Sequence, residues 1–489
     1  MRNGTYTTDS VPEYRGGPVA GSTLEQPLRP PTTPPERNSR QDDMSSAASA
    51  PVHFPKLTLP QGFSRTFPSL ENRNFRLLLS GLLVSGTGGW IQRIAQDWLV
   101  LTITDSPTAV GIVTAFQFAP TILLGLHGGL LADRLPKRTL LLATQVSMSL
   151  TAAVLAVLTL TGVVQVWHVF ALAFVLGVIA AVDNPTRQSF VSEVVQGPQL
   201  PNAISLVSCT FQIGAMTGPV IGGVLMSTLG AGYAFAVNAL TFVAPVVALS
   251  LMRGTPARRS FSPATNTDGP VAPAPQARAG LTYALQTSTV LWPIVMAGAF
   301  GFFTISLPVT LAAFAKNEFH TGASGLGLLN AMVALGAMGG ALTTARRQRP
   351  LRLRTVGYAA WALACAMLLA AAAPQQLLFT LLLVLVGAAN LGFLTKAQSL
   401  VQLATVPHLR GRVVGLYMLV FIGSGAVGGP VVGWMAETYG ARVALLVSGV
   451  VPALVTIIVC RHLAHLGSLR VSLSTISVRL PRVSVTPRG

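Results

Sequence analysis

The chain has 489 residues, 51% of them hydrophobic and only 10% charged, and a mean hydropathy of +0.59. Soluble domains carry about 25% charged residues, so the composition excludes an ordinary soluble protein. A formal charge of +18 would suggest nucleic acid in a soluble chain, but here the bases stand in loops and tails beside apolar runs, which reads as an orientation signal and not a nucleic-acid surface.

Residues 1–70 are rich in Pro, Ser, Thr and Gly and too poor in large apolar residues to form a core. The run Pro30-Pro31-Thr32-Thr33-Pro34-Pro35 favours extended backbone. No basic segment and apolar h-region open the chain, so no signal peptide is expected. The expectation is a disordered cytoplasmic tail. Twelve apolar runs follow, near 76–102, 110–132, 139–161, 167–186, 203–228, 232–252, 288–313, 323–345, 353–373, 377–398, 412–436 and 443–462. Each is long enough to cross a bilayer as a helix, which takes about 20 residues. A Pro-, Ala- and Arg-rich stretch at 253–285 reads as a cytoplasmic linker, so the array divides into six-helix halves at 71–252 and 286–465. The tail at 466–489 alternates Ser, Val and Arg with Pro and is expected to be solvated.

Lys and Arg set the orientation. The loops after runs 2, 4, 6, 8 and 10 hold Arg134, Lys137, Arg138, Arg187, Arg258 and Arg346 among others, whereas the opposite loops hold only Lys316 and Arg442. Both termini are therefore expected in the cytoplasm. An internal repeat agrees with the split. Gly129 and Gly340 (340 − 129), and Gly218-Pro219 and Gly429-Pro430 (429 − 218), are both 211 positions apart.

Three segments carry chemistry. The turn Gly129-Leu130-Leu131-Ala132-Asp133-Arg134-Leu135-Pro136-Lys137-Arg138 packs charge between two apolar runs, which is tolerable only at a water interface. A carboxylate there can accept from helix N-terminal amides or pair with Arg. Run 5 holds Gly214-Ala215-Met216-Thr217-Gly218-Pro219-Val220-Ile221-Gly222-Gly223. Small residues at this spacing allow close helix approach, and Pro219 removes a backbone donor. Run 1 holds Gln92-Arg93-Ile94-Ala95-Gln96-Asp97. Arg93 and Asp97 are four apart, on one helical face and able to pair. Arg93 lies about 24 Å along the helix from Leu77, toward the outer half. A membrane-embedded charge costs several kcal/mol unless paired or hydrated, so these residues are expected at the central cavity or its outer mouth. Proton exchange at Asp97, making or breaking its pairing with Arg93, could couple to transport; a permanent structural pair is the alternative.

The turn pattern G-x-x-x-D-R-x-P-K-R resembles the loop between helices 2 and 3 of the major facilitator superfamily, where the Pro136 position is usually Gly. The resemblance implies an all-α integral membrane fold of twelve helices in two six-helix pseudo-repeats. It also implies alternating access about a midplane site, a monomer, and an inner gate formed by Gly129, Asp133, Arg134, Lys137 and Arg138 docking on the start of helix 11 at Gly411-Arg412. Arg187, at a cytoplasmic position, is expected to join that gate. The run-5 pattern G-x-x-x-G-P-x-x-G-G resembles a motif of drug–proton antiporters in the superfamily. Asp183-Asn184-Pro185-Thr186-Arg187-Gln188, with the Trp90 to Leu101 segment, resembles its enterobactin-exporter-like branch, which exports siderophores, macrolides and other small molecules.

Gln92, Gln96, Gln117, Gln212, Asn238, Asn330 and Asn390 are further intramembrane polar groups that could line a substrate cavity or bridge helices. Phe116, Phe118, Phe211, Phe300, Phe302 and Phe303 could supply apolar walls. No phosphate-binding loop, metal-ligand spacing or nucleophile elbow is present in the sequence. No cofactor, metal or enzymatic activity is therefore expected. High Ala, Gly and Arg with little Lys suggests a GC-rich bacterial genome. The expected function is proton-coupled efflux of a small organic molecule, siderophore or drug, across the cell membrane, with protons and lipid as the other partners. A nutrient importer of the same fold and a non-transporting membrane sensor or scaffold are the alternatives.

Overall fold

The computed structural model describes residues 67–252, 273–345, 351–465, 470–475 and 481–486. The expected tail is thus outside the described residues up to 66, as are positions 253–272 of the linker with Arg258, and Arg346, Arg347 and Arg349. From Pro68 to Glu71 the chain is already ordered as a single 3-10 turn. Ser69 Oγ donates to Asn202 Oδ1 at 2.6 Å, which ties the entry of the first helix to the fifth.

Helix α1 (Arg73–Thr104) starts where the Asn72 carboxamide accepts from the amides of Asn74 and Phe75, the N-cap arrangement that satisfies orphan donors. It ends at Asp105, which adopts a left-handed conformation, φ 56°. Helix α2 (Pro107–Arg134) begins at once, capped by Ser106 with Pro at its first position. Then come α3 (Lys137–Leu160), α4 (Val166–Val194), α5 (Leu200–Thr228), and α6, made of Ala231–Thr241 and Val243–Leu251. The second half holds α7 (Ser288–Thr304, Leu307–Ala313 and a π-helical end, Phe314–Glu318), α8 (Gly322–Ala345), α9 (Leu353–Ala371), α10 (Gln376–Ala404), α11 (Arg410–Tyr439) and α12 (Ala441–His465). This is the expected twelve-helix array. Among the described residues, eleven helical segments are long and apolar enough to cross a membrane. Helix α1, 32 residues long, falls short on apolarity because Ser, Gly, Thr, Gln, Arg and Asp interrupt it.

Two features depart from the sequence reading. Helices α4 and α10 run on to Val194 and Ala404, beyond the apolar runs that ended near 186 and 398, because helical hydrogen bonding continues past the hydrocarbon-matched segment. Part of the linker is a helix, Pro273–Gln286. It packs at the start of α11: a Cβ added to Gly280 would lie 3.0 Å from Arg412 Cβ, and the Tyr283 hydroxyl donates to the Ala404 carbonyl at 3.0 Å. In the C-terminal tail, Arg470–Thr475 pairs antiparallel with Pro481–Thr486, Val471 opposite Val485. Its alternation of Val with Ser and Arg has the period of two that strands require.

The two ends of the bundle are packed differently. At the end bearing the α2–α3 turn, here the basic end, the first half has its own apolar cluster: Phe75, Leu78, Leu141, Phe190, Val191, Val194, Ala203 and Leu249. No described residue of the second half belongs to it. The larger cluster crosses between halves, joining Ile94, Val100, Val110 and Val113 to Leu307, Phe314, Leu326 and Ala436, all toward the opposite end. The crossing is made by α2 on α11 and α5 on α8, with α1 touching α7 and α8, whereas α4 packs on α2 and α3 and α10 on α8 and α9. The halves are therefore joined at the end away from the basic loops.

Candidate functional site

Helix α1 is covered on two sides and open on a third. Toward α6, a Cβ on Gly81 would meet Pro245 Cα at 2.8 Å and one on Gly88 would meet Asn238 Oδ1 at 2.4 Å. Asn238 Nδ2 donates to Gln92 Oε1 on the same side. Toward α5, Gly218 is so close that an added Cβ would lie 2.5 Å from Trp90 Cβ and 2.8 Å from the Thr87 carbonyl, while Gly214 abuts Gly86 and Gly222 abuts Ile91. By contrast, Cβ atoms at Gly86 or Gly89 would meet nothing within 4 Å. Arg93 continues this uncovered face at helical spacing.

The chemistry of that face is aromatic and cationic. The Arg93 guanidinium carbon lies 5.6 Å from the Trp90 ring centre and 5.2 Å from that of Phe118 on α2. Trp90 meets Phe211 of α5 edge-on at 5.6 Å. Asp97, one turn farther, is 3% exposed. The ion pair expected between Arg93 and Asp97 is not closed: no ion pair joins them among the described residues. A guanidinium is weakly hydrated and planar, so it can leave a neighbouring carboxylate for two ring faces. The carboxylate and the cation thus occupy successive turns, within reach of each other's charge but without a closed ion pair.

The polar candidates divide by whether their atoms are already satisfied. Gln92 and Asn238 are spent on each other, and Asn238 Oδ1 also accepts from Thr241 at 3.1 Å. Asn330 donates back to Leu326 of its own helix at 3.0 Å. Gln117 and Gln212 are half-buried on α2 and α5. Gln96 Nε2 and Asn390 Oδ1, in contrast, are buried without a partner among the described residues, as is Thr304 Oγ1 on α7. Phe300 and Phe393 lie with ring centres 4.7 Å apart. One turn beyond them on antiparallel α7 and α10 stand Thr304 and Asn390. Sequence reading missed Thr304, because helical Thr ordinarily bonds its own preceding turn and nothing in the sequence distinguishes one that does not.

Two basic side chains at the basic end, Lys137 and Arg138, make contacts within the first half. Lys137 pairs with Glu193 of α4, and Arg138 donates to the Ser250 carbonyl of α6 at 3.0 Å. Gly129 is open, Arg134 is exposed, and the Asp133 side chain lies outside the described part of the structure. Arg187 lies 3.4 Å from Asp183 and donates to Asn184 at 2.5 Å. Asp183, 2% exposed, also accepts from Thr144 at 2.7 Å and Gln145 at 2.9 Å on α3. It acts as a hub between α3 and α4, a role the motif reading had not given it.

The α5 glycines serve two interfaces. Gly214, Gly218 and Gly222 admit α1; Gly223 alone of the set crosses to the second half, 3.1 Å from the Ala323 carbonyl of α8 by its added Cβ. In α11, Gly425 and Gly428 admit α7, while Gly429 and Gly433 admit α2.

Comparison with known proteins fits this geometry. A family model described as a transmembrane secretion effector matches residues 64–479. The multidrug efflux pump Tap of Mycolicibacterium fortuitum is 28% identical over 387 residues, 76% of this chain and 91% of that protein. The enterobactin exporter EntS of Citrobacter koseri is 24% identical over 360 residues, 72% of this chain and 80% of its own. The staphyloferrin A transporter of Staphylococcus aureus is 31% identical over 166 residues, and the match spans only 42% of that protein's length and 34% of this chain. Among solved structures, the nucleoside transporter NupG has a TM-score of 0.62 at 15% identity, covering 80% of this chain and 98% of its own. A bacterial homologue of the iron transporter ferroportin, in an inward-facing state, has a TM-score of 0.60 at 16% identity over 80% of this chain and 98% of its own. At these identities the structural likeness concerns the fold.

Proposed function

The chain belongs to the transmembrane secretion effector family of the major facilitator superfamily, and from that membership we propose that it exports small organic molecules across the cell membrane in exchange for protons. It works as a monomer with both termini in the cytoplasm. The observation that carries the reading is Asp97: a carboxylate 97% buried within a membrane helix, without an ion-pair partner among the described residues, one turn beyond a cation on the uncovered face of α1. A proton arriving at Asp97 changes the net charge of the Arg93–Asp97 face from zero to +1, and that change alters the cost of exposing the face to water or closing it. Substrate and proton then compete for one region. Arg93 between Trp90 and Phe118 offers a flat apolar and cationic surface, and the unsatisfied atoms of Gln96, Thr304 and Asn390 offer hydrogen bonds from both halves. That combination suits an amphipathic molecule with aromatic or polar-oxygen groups, of the drug, macrolide or siderophore class, in keeping with relatives named as a multidrug efflux pump and an enterobactin exporter.

With the basic loops in the cytoplasm, the described conformation is inward-facing, closed where α2 meets α11 and α5 meets α8. Alternation would open that seam and bring the Asp133 turn against the start of α11. The test uses inverted membrane vesicles with a pH-sensitive dye and an imposed proton gradient, to which macrolides, dyes and siderophores are added one at a time. Proton release from the lumen that depends on one compound, and disappears in Asp97→Asn, is the expected result. Release that persists in Asp97→Asn removes Asp97 from the coupling path, and the absence of release with every compound removes proton-coupled export.

A further inference from the structure

The two basic residues that depart from the charge asymmetry, Lys316 and Arg442, both sit at the closed end. A helix presents partial negative charge at its C-terminus and partial positive charge at its N-terminus. The α1–α2 turn places one of each side by side, with only Asp105 and Ser106 between them. The second half meets both. From the π-helical end of α7, Lys316 Nζ donates to the Leu101 carbonyl in the last turn of α1 at 2.8 Å and pairs with Asp105 at 2.6 Å. From the last turn of α11, Glu437 accepts from the Ser106 hydroxyl at 2.5 Å and from the Thr108 amide in the first turn of α2 at 3.1 Å. Ser106 itself caps that turn through Ala109, at 3.2 Å. A cation thus meets the negative helix end and an anion the positive one, each across the boundary between halves. Arg442, by contrast, pairs with Glu318 at 3.0 Å and donates to the Ala373 carbonyl at 2.6 Å, wholly within the second half.

We propose that Lys316 and Glu437 form a two-pronged clasp on the α1–α2 turn that holds the outer side shut, and that its release is required for the outward-facing state. The inference rests on the alternating-access reading. The π-helical segment explains how the cation reaches its place: its wider turn, closed by the Phe319 amide on the Phe314 carbonyl at 2.9 Å, re-aims Lys316 relative to a regular helix. Asp105 tolerates the left-handed conformation that a two-residue turn between helices demands, as Asp does more readily than most residues. Neither prong is deeply buried, so each is strong enough to bias an equilibrium and weak enough to open in every cycle.

The experiment places spin labels at Thr102→Cys on α1 and Thr438→Cys on α11, both exposed, in full-length protein with Cys209, Cys365 and Cys460 replaced by Ala. Double electron–electron resonance in lipid nanodiscs then reads the distance across the closed end. Lys316→Met and Glu437→Ala are each expected to raise the long-distance population about two- to fivefold, the size of a charge–helix-end effect, and together more than either. Arg442→Gln removes a charge from the same face without touching the boundary and is expected to leave the distribution unchanged. Unchanged distances in both clasp variants, or an equal opening in Arg442→Gln, would overturn the proposal. The readout needs no substrate, so failure of the export reading in the vesicle assay and failure of the clasp are seen separately.

Discussion

Substituting Gly111→Ala should separate packing between the halves from packing within them. Helices α2 and α11 cross with their backbones in contact: a Cβ on Gly111 would stand 2.1 Å from the Gly429 carbonyl oxygen and 2.8 Å from Pro430 N. Ordinary contact begins at 3.4 Å, so the helices must separate by 3.4 Å less 2.1 Å, about 1.3 Å, at a seam where neither partner is a flexible side chain, and such overpacking costs about 1–3 kcal/mol. On the proposed alternating access, that cost falls only on the conformation in which this end is closed. The gain in helix propensity from Gly to Ala, about 1 kcal/mol, applies to both conformations and cancels. The population should therefore shift toward the open form by about 5- to 150-fold. A second substitution supplies the contrast. Gly336→Ala would put a Cβ 1.9 Å from the Val384 carbonyl oxygen, between α8 and α10 of one half, a contact that rocking of the proposed kind leaves in place. Gly336→Ala should lower the melting temperature without moving the equilibrium. The Thr102–Thr438 spin-label distance reads the first effect and thermal unfolding in detergent reads the second. If Gly111→Ala leaves the distance distribution unchanged, or destabilises the fold as much as Gly336→Ala does, the seam is not the moving interface and the reasoning fails.

Two further outcomes test the buried polar groups. Gln92→Leu leaves the Asn238 amide without its acceptor in the α1–α6 contact, an orphaned buried donor that costs about 1–3 kcal/mol; equal melting temperatures for Gln92→Leu and wild type would show that the bridge carries no stability. Asp183→Ala strips Thr144, Gln145 and Arg187 of a shared acceptor and should destabilise the α3–α4 contact by about 1–3 kcal/mol, while Asp183→Asn, which keeps one carbonyl oxygen, should lose less. A thermal melt in which both variants behave alike would show that Asp183 is not the hub its contacts describe.

What the sequence determined by itself is the array. A membrane span must be apolar over about 20 residues and must bond its own backbone, so eleven of the helices announce themselves one at a time, and their predicted limits agree with the observed ones to within a few residues except where α4, α7 and α10 run on. The division into two halves was equally legible, from a Pro-rich linker and a repeat that needs no spatial information. The pairing of side chains was not. Arg93 and Asp97 share a helical face, yet Phe118 of the next helix draws the guanidinium elsewhere. Gln92 finds Asn238 only because α1 and α6 are turned toward each other, and Thr304 becomes an unsatisfied group only because α7 lies against α10. Likewise Lys316 and Glu437 look like stray interfacial charges until the second half sets them on the two helix ends at the α1–α2 turn. The physical reason is one of range. Crossing a bilayer is a local requirement that each segment meets alone, whereas a hydrogen bond or ion pair is made within about 3–4 Å and depends on the rotation of helices far apart in the chain.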